Sequence, residues 1–395
     1  MKKNIIVGQS GGPTAVINCS LYGVLKEAFE QSEIGTVYGM VHGIEGLLNG
    51  EYLDLGKVIN DNSLEQLIIT PGAYLGICRY RLPEENEEIY KKIFQKLDQL
   101  NIGYFLYIGG NDSMDTVNKL SRYAKEKGSD ICFIGIPKTI DNDLVLTDHT
   151  PGYGSAARFV AGTVQEIMYD AASYRENSIT IIEIMGRNAG WLTAAGALAG
   201  KRNCERDVFL VLPEIPFCVE KFLWQVEKSW NQKGHLTICV SEGVKDEEGR
   251  VIGTSKHSPH DMFGHKKLGG SGSYLEDILK KNFACRIRKV EFGIPQRCSS
   301  AWVSKNDQEE AIEAGKYGLY MMLTKRETGK MVTFERVAGE KYKIEYSLKN
   351  VSKICNREKK IPCTWISEDG TSVNQKFFNY IEPLLGESLP RFLKR

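Results

Sequence analysis

Short apolar runs alternate with longer amphipathic ones along the first half of the chain. Ile5–Val7, Val37–Val41, Tyr104–Ile108 and Ile131–Ile136 are the apolar runs, and Ala15–Phe29, Glu85–Leu100 and Met114–Ala124 are the amphipathic stretches among them. That alternation predicts βαβ units feeding a parallel sheet. Glu85–Leu100 reads most clearly as a helix, because Ile89, Ile93, Leu97 and Leu100 recur at helical spacing with Glu, Lys and Gln between them. After Pro151 the pattern resumes: helices over Ser155–Ala172 and Ala189–Leu198, strands over Ile179–Ile184, Val208–Leu212 and Leu236–Val240. A second α/β unit is implied. Between Gly243 and Gly272 the chain is polar and rich in Gly, His, Lys and Ser, which fits a long loop or hairpin. Asp307–Leu323 reads as a helix capped from Ser304–Asn306, Arg326–Lys343 as a hairpin, and the stretch from Lys359 as irregular. Internal repeats, heptads and low-complexity tracts are absent.

Composition narrows the class. A chain of 395 residues with 42% hydrophobic and 26% charged content has the material for a sizeable core and two domains. A formal net charge of +1 argues against a nucleic-acid or membrane-surface partner, whose recognition would need a basic excess. Any phosphate site must then be a local gathering of Arg and Lys. The longest apolar runs fall short of the roughly 20 residues that span a bilayer. Met1-Lys2-Lys3 leads only into a brief strand before Gly8, so neither a membrane protein nor a signal peptide is expected and the chain reads as cytoplasmic. Ten cysteines include no Cys-x-x-Cys pair, and most sit in apolar stretches, so they read as small buried hydrophobes. His257, His260 and His265 share one loop without Cys or acidic partners at ligand spacing and beside Lys266 and Lys267, so a polar loop is expected there, not a metal site.

The chemistry concentrates at two strand ends. Ile131–Ile136 runs into Pro137-Lys138-Thr139-Ile140-Asp141-Asn142-Asp143, and Tyr104–Ile108 runs into Gly109-Gly110-Asn111-Asp112-Ser113. The C-terminal ends of strands are where an open α/β sheet keeps its ligands. Glycines admit a polyanion close to the backbone, carboxylates hold Mg²⁺ or take a proton, and Lys138 is a point charge for phosphate. The first loop, Gly8-Gln9-Ser10-Gly11-Gly12-Pro13, also follows a strand and opens a helix, so its amides suit a phosphate. It is neither a dinucleotide fingerprint nor a P-loop. Together these point to phosphoryl transfer to a hydroxyl, with Asp141 as general base and Asp143 orienting the hydroxyl or a metal-bound water.

With Met185-Gly186-Arg187, Ser241-Glu242-Gly243 and Gln296-Arg297 added in order, the chain resembles the phosphofructokinase family, and within it the pyrophosphate-dependent members. The resemblance implies two similar Rossmann-like three-layer α/β domains with mostly parallel sheets and the active site in the cleft between them. The donor domain would comprise residues 1–150 and about 297–345, the sugar-phosphate domain 151–296 and about 346–395. It implies fructose 6-phosphate and pyrophosphate as substrates, Mg²⁺ as cofactor, reversibility, and a homodimer or homotetramer. It assigns Asp141, Lys138, Asp143 and Thr139 to catalysis, and Gly11, Gly12, Arg79, Gly110, Asp112 and Ser113 to the donor. Met185, Gly186, Arg187, Glu242, Arg288, Arg297 and Arg175 fall to the sugar phosphate, Arg175 or Arg288 crossing between subunits. The resemblance makes Asp112 and Asn111 the expected metal ligands.

Two features choose the donor. ATP-using relatives carry small glycines where Asp112 and Lys138 stand; a carboxylate at 112 fills the nucleotide's space and repels its phosphates, so pyrophosphate is expected. The chain departs from the family at Asn111, where an Asp is usual, at Ile294, where a His is usual, and at Ser178, where an Arg is usual. The alternatives are an ATP-dependent enzyme of the same fold, a non-catalytic sugar-phosphate sensor, which should have lost Asp141, and a lipid or NAD kinase, which leaves Met185–Arg187 and Gln296-Arg297 unexplained.

Overall fold

In chain order the strands are β1 (Lys3–Gln9), β2 (Ile34–Met40), β3 (Tyr52–Asp54), β4 (Ile102–Gly109), β5 (Cys132–Pro137), β6 (Ser178–Ile184), β7 (Val208–Val211), β8 (His235–Ser241), β9 (Arg286–Glu291), β10 (Lys330–Arg336) and β11 (Ile344–Asn350). The computed structural model describes residues 2–201, 208–230, 234–253, 270–339 and 341–393. Most of the polar Gly243–Gly272 segment, with His257, His260 and His265, lies outside the described residues. The chain divides into two compact units, Met1–Gly152 with Lys305–Arg357, and Tyr153–Ser304 with Glu358–Arg395. Its second and third crossings thus fall at 304/305 and 357/358, later than the expected 297 and 345. The long helix Lys305–Lys325 and the β10–β11 pair are carried whole into the first unit, which sets both crossings.

The first unit holds a seven-stranded sheet in the order β11-β10-β5-β4-β1-β2-β3. Pairings from β2 through β1, β4 and β5 to β10 are parallel, and β3 and β11 close the two edges antiparallel. Alternate residues face opposite layers. Ile5, Val7, Leu106, Ile108, Ile134 and Ile136 pack with Ile17, Leu21, Leu25 and Leu319 of helices Ile17–Glu30 and Lys305–Lys325. On the other face Ile6, Phe105, Tyr107 and Phe133 meet Ile93, Leu97, Met114 and Val117 of helices Glu87–Gln99 and Asn111–Lys127. Each fully buried aliphatic or aromatic side chain contributes about 1.5–3 kcal/mol. The two helices of the first layer cross at Gly23 and Gly315: a Cβ on Gly23 would stand 2.0 Å from the Ile312 carbonyl oxygen, and one on Gly315 2.2 Å from that of Ser20. Only glycine lets the backbones meet that closely.

The second unit is built on a four-stranded, all-parallel sheet in the order β7-β8-β6-β9. Ile179, Ile181, Phe209, Ile238 and Val240 pack there with Phe222 and Val226 of helix Val219–Trp230 and with Leu275 and Leu279 of helix Ser271–Asn282. Helix Tyr153–Ala172 packs against β6 and β8. The β9 sequence, Arg-Ile-Arg-Lys-Val-Glu, is too charged to read as a strand; it forms the sheet edge, where charge is the usual device against edge pairing.

Two expectations are corrected. The hairpin expected over Arg326–Lys343 is formed by β10 and β11, residues 330–350, because Arg326 (φ 54°) and Gly329 (φ 65°) first turn the chain out of the preceding helix. The segment from Lys359, expected to be irregular, contains a helix at Gln375–Ile381, with Asn374 Oδ1 accepting the Lys376 N–H at 3.0 Å. That helix is too short for a period to show in the sequence. Nine cysteines fall among the described residues, all unpaired, and burial pushes the Cys19 thiol up to about 12. No helix among the described residues is long and apolar enough to cross a membrane.

Candidate active site

Parallel register aligns three loops at one end of the first sheet. Gln9 pairs with Ile108 and Gly109 with Pro137, so the turns after β1, β4 and β5 emerge side by side. Backbone bonds fix them there. Ser10 N–H donates to Ile108 O at 2.9 Å, Lys138 N–H to Gly109 O at 3.0 Å, and Gly11 N–H to Cys78 O at 3.3 Å. The last bond brings the half-buried Arg79 beside the first loop. Gly11 has φ 74°, and a Cβ there would come within 3.2 Å of Lys138 Nζ. Lys138 is 2% exposed and its Nζ donates to Gly12 O at 2.5 Å. Helix Asn111–Lys127 starts in the same place, directing backbone N–H groups and the positive end of its dipole at whatever anion sits there. Gly11, Gly12, Arg79, Gly110, Asp112, Ser113 and Lys138 are thereby gathered.

Asp141 and Asp143 are half-buried on either side of Asn142, which is fully buried in the left-handed region at φ 53°. The loop that carries them is pinned at both ends. Asp141 N–H donates to Thr139 Oγ1 at 3.1 Å, Thr139 N–H to Pro151 O at 3.1 Å, Thr150 Oγ1 to Thr139 O at 2.8 Å, and Gly152 N–H to Asp307 Oδ1 at 2.8 Å. A charged cluster completes the clamp. His149, 1% exposed, has Nε2 2.6 Å from Glu310 Oε2 and Nδ1 2.8 Å from Asp148 Oδ1, while Arg336 donates to Asp148 at 2.8 Å and the Tyr342 hydroxyl to Glu310 Oε1 at 2.5 Å. Burial lowers the imidazole pKa, but the Glu310 and Asp148 carboxylates outweigh it and raise it from 6.5 to about 9. Both ring nitrogens then donate.

A group whose pKa is raised on folding gives its full stabilisation below the unfolded value and loses it as pH climbs through the folded one. The thermal midpoint should therefore fall between pH 6.5 and about 9, and His149→Gln should flatten that segment of the curve. An unchanged slope in the variant would exclude the cluster as its source.

Asn111 is placed differently from the expected metal ligand. Its Oδ1 accepts the Asn356 N–H at 2.5 Å and its Nδ2 donates to Arg357 O at 2.6 Å, so the amide is committed to a chain segment 246 residues away. One and two turns further along the helix, Asp115 accepts from Asn356 Nδ2 at 3.1 Å and from Lys119 Nζ at 2.6 Å, and Lys119 also donates to Leu82 O at 2.9 Å. The sequence holds no signal for this ladder. Of the two expected ligands, Asp112 is the carboxylate at the helix start. Among the described residues no group of three or more His, Cys, Asp or Glu could hold a metal. A cation that keeps several waters and binds through one carboxylate plus substrate phosphates needs no such group, so Asp112 fits Mg²⁺ carried in on a polyphosphate.

In the second unit the ends of β6 and β8 make another cluster. Met185 N–H donates to Gln296 Oε1 at 3.0 Å, Gly186 N–H to Glu242 Oε1 at 3.5 Å, Glu242 N–H to Ile184 O at 3.0 Å, and Ser241 Oγ bonds Gly186 O. Gly243 packs on the Arg187 carbonyl. Arg297 belongs to the short helix that carries Gln296, and its Nε is buried without a hydrogen-bond partner. Met185, Gly186, Arg187, Glu242 and Arg297 are brought together, with Gln296 and Ser241 as the fasteners. Arg288 and Arg175 are not among them. Arg288 pairs with Thr180, four residues before the end of β6, and its guanidinium bonds Asp170 at 3.0 Å and lies over Tyr174. Arg175 is exposed in the turn before β6. Ser178 bonds His235 at the start of that strand, and Ile294 is 60% exposed.

A family model described as Phosphofructokinase matches residues 4–311. A pyrophosphate–fructose 6-phosphate 1-phosphotransferase of Methylococcus capsulatus is 36% identical over 396 residues, which cover 99% of this chain and 93% of the relative. A sulfofructose kinase of Alkalicoccus urumqiensis is 32% identical over 366 residues, 92% of each chain. Among solved structures, a pyrophosphate-dependent phosphofructokinase of Nitrosospira multiformis matches with a TM-score of 0.89 at 33% identity, covering 100% of this chain and 94% of that one.

Proposed function

The chain belongs to the phosphofructokinase family, and we propose that it moves a phosphoryl group reversibly between pyrophosphate and the 1-hydroxyl of fructose 6-phosphate, giving fructose 1,6-bisphosphate and phosphate. One observation carries this reading. A buried ammonium, Lys138, meets the Gly11–Gly12 loop beside the N-terminus of helix Asn111–Lys127, and this one cation with the surrounding backbone amides makes a compact seat for a bare diphosphate.

Asp141 accepts the proton of the 1-hydroxyl as its oxygen attacks the terminal phosphorus; the bridging P–O bond breaks and phosphate leaves. Lys138 and the helix amides neutralise charge on the transferring group and leaving phosphate, and Gly11, Gly12, Gly110 and Ser113 frame the donor, with Arg79 at its side. Thr139 and Asp143 hold the base and the hydroxyl in line. Mg²⁺, held by Asp112 and the donor's own oxygens, would spread the negative charge of the diphosphate. Glu242 suits the sugar hydroxyls. Arg187 and Arg297 suit the 6-phosphate, the orphaned Nε of Arg297 being a donor that a phosphate oxygen would satisfy. Arg288 and Arg175 stand apart from that cluster, which supports a role across a subunit contact in a homodimer or homotetramer. Such an enzyme of sugar-phosphate metabolism works in the cytoplasm.

The test is a parallel assay: purified protein, Mg²⁺, and either pyrophosphate or ATP, with fructose 6-phosphate or sulfofructose as acceptor. Turnover with pyrophosphate and fructose 6-phosphate should exceed that with ATP by about a hundredfold in kcat/KM, since a misplaced carboxylate costs several kcal/mol against a nucleotide. Equal or faster turnover with ATP would overturn the donor, and preference for sulfofructose the acceptor.

A further inference from the structure

The clamp on residues 356 and 357 holds one exposed cation next to the donor seat. Asn356 is a non-glycine residue in the left-handed region, φ 60°, kept there by three side-chain bonds: Asn111 Oδ1 on its N–H, Asp115 Oδ1 on its amide, and Asn111 Nδ2 on the next carbonyl. Backbone held in a sparsely populated region by its surroundings is a recurrent feature of ligand clamps. The residue so presented is Arg357, whose side chain is exposed and makes no hydrogen bond or ion pair among the described residues. Its carbonyl lies 2.6 Å from the side chain of Asn111, the first residue of the helix whose next residue is Asp112. Lys138 N–H bonds Gly109 O at 3.0 Å, two residues before Asn111.

We propose that Arg357 is a second donor-phosphate ligand: its guanidinium fork grips the pyrophosphate oxygens from the side opposite Lys138, and Asn111 is the positioning residue that aims it. The assignment rests on the pyrophosphate reading of this seat. A planar fork suits two oxygens of one phosphate, where a lysine offers a single point of charge. The long reach in sequence, 246 residues, explains why no motif announces it.

Calorimetric titration of the full-length protein with magnesium pyrophosphate, without sugar, tests the claim. Arg357→Ala should weaken binding about tenfold, the usual loss for one charge-assisted contact, and Arg357→Lys by less. Fructose 6-phosphate binding should be unchanged in both. Asn111→Ala should weaken pyrophosphate binding similarly while the arginine is still present, and the double variant should lose no more than either single one. Additive losses would mean that Asn111 touches the donor independently, and would overturn the positioning role. Unchanged affinity in Arg357→Ala would overturn the ligand assignment alone, whereas no binding of pyrophosphate by the unmodified protein would overturn the functional reading beneath it. Arg357 is exposed and contributes only its backbone to the clamp, so the two Arg357 variants should fold, and a thermal midpoint equal to that of the unmodified protein checks this.

Discussion

Asp141→Asn should lower kcat for transfer from pyrophosphate to fructose 6-phosphate by about a thousandfold, within the range that a positioned general base supplies. The substitution keeps the shape of the side chain and the bond from its own N–H to Thr139 Oγ1, so the loop should stay in place. KM for both substrates should move less than about threefold, because an amide still accepts a hydrogen bond from the 1-hydroxyl and loses only the ability to take its proton. The thermal midpoint should not move. Initial rates with both substrates saturating read the effect. A loss under tenfold would remove Asp141 from the base role and turn attention to Asp143, the other half-buried carboxylate of the loop. Retention of a full biological effect in the Asn variant would favour the sensor reading over the enzyme.

Much of this site is legible in the chain because its parts are local. An apolar run ending in glycines or in Lys-Thr-Ile-Asp-Asn-Asp marks a strand end, and in a parallel sheet all such ends lie on one side, so β1, β4 and β5 bring their loops together by topology alone. The second unit's cluster follows from the same rule applied to β6 and β8. What escapes the sequence is long-range. Asn111 occupies a motif position that suggests metal binding, and only the fold reveals that residues 356 and 357 take up its amide. Arg288 sits nine residues before Arg297, near enough in sequence to suggest one shared site; but β9 is extended, and its register puts Arg288 beside Thr180 rather than beside the strand ends. The His149 clamp is equally hidden, since Glu310, Arg336 and Tyr342 lie far along the chain from the loop they fix.

Donor choice should yield to two substitutions. Lys138→Met should lower kcat/KM for pyrophosphate by about a thousandfold, since one preorganised donor to developing charge is commonly worth a factor of about 10²–10³ and this one also fastens the first loop through Gly12 O. Losing that buried bond should cost about 1–3 kcal/mol of stability, visible as a lower thermal midpoint, so rates must be read well below it. In Asp112→Gly with Lys138→Gly, the carboxylate that repels a nucleotide and the ammonium that replaces its contribution both go. The ratio of kcat/KM for ATP to that for pyrophosphate should then rise by at least about a hundredfold, even if absolute rates fall, because the repulsion removed is worth several kcal/mol. The ratio is the decisive quantity. Loop loosening weakens both donors, but only the loss of a specific steric and electrostatic barrier can favour the larger and more highly charged one. A ratio unchanged within about threefold would mean that selectivity against adenosine is enforced elsewhere, and that Lys138 serves the Gly11–Gly12 loop as a structural tie alone.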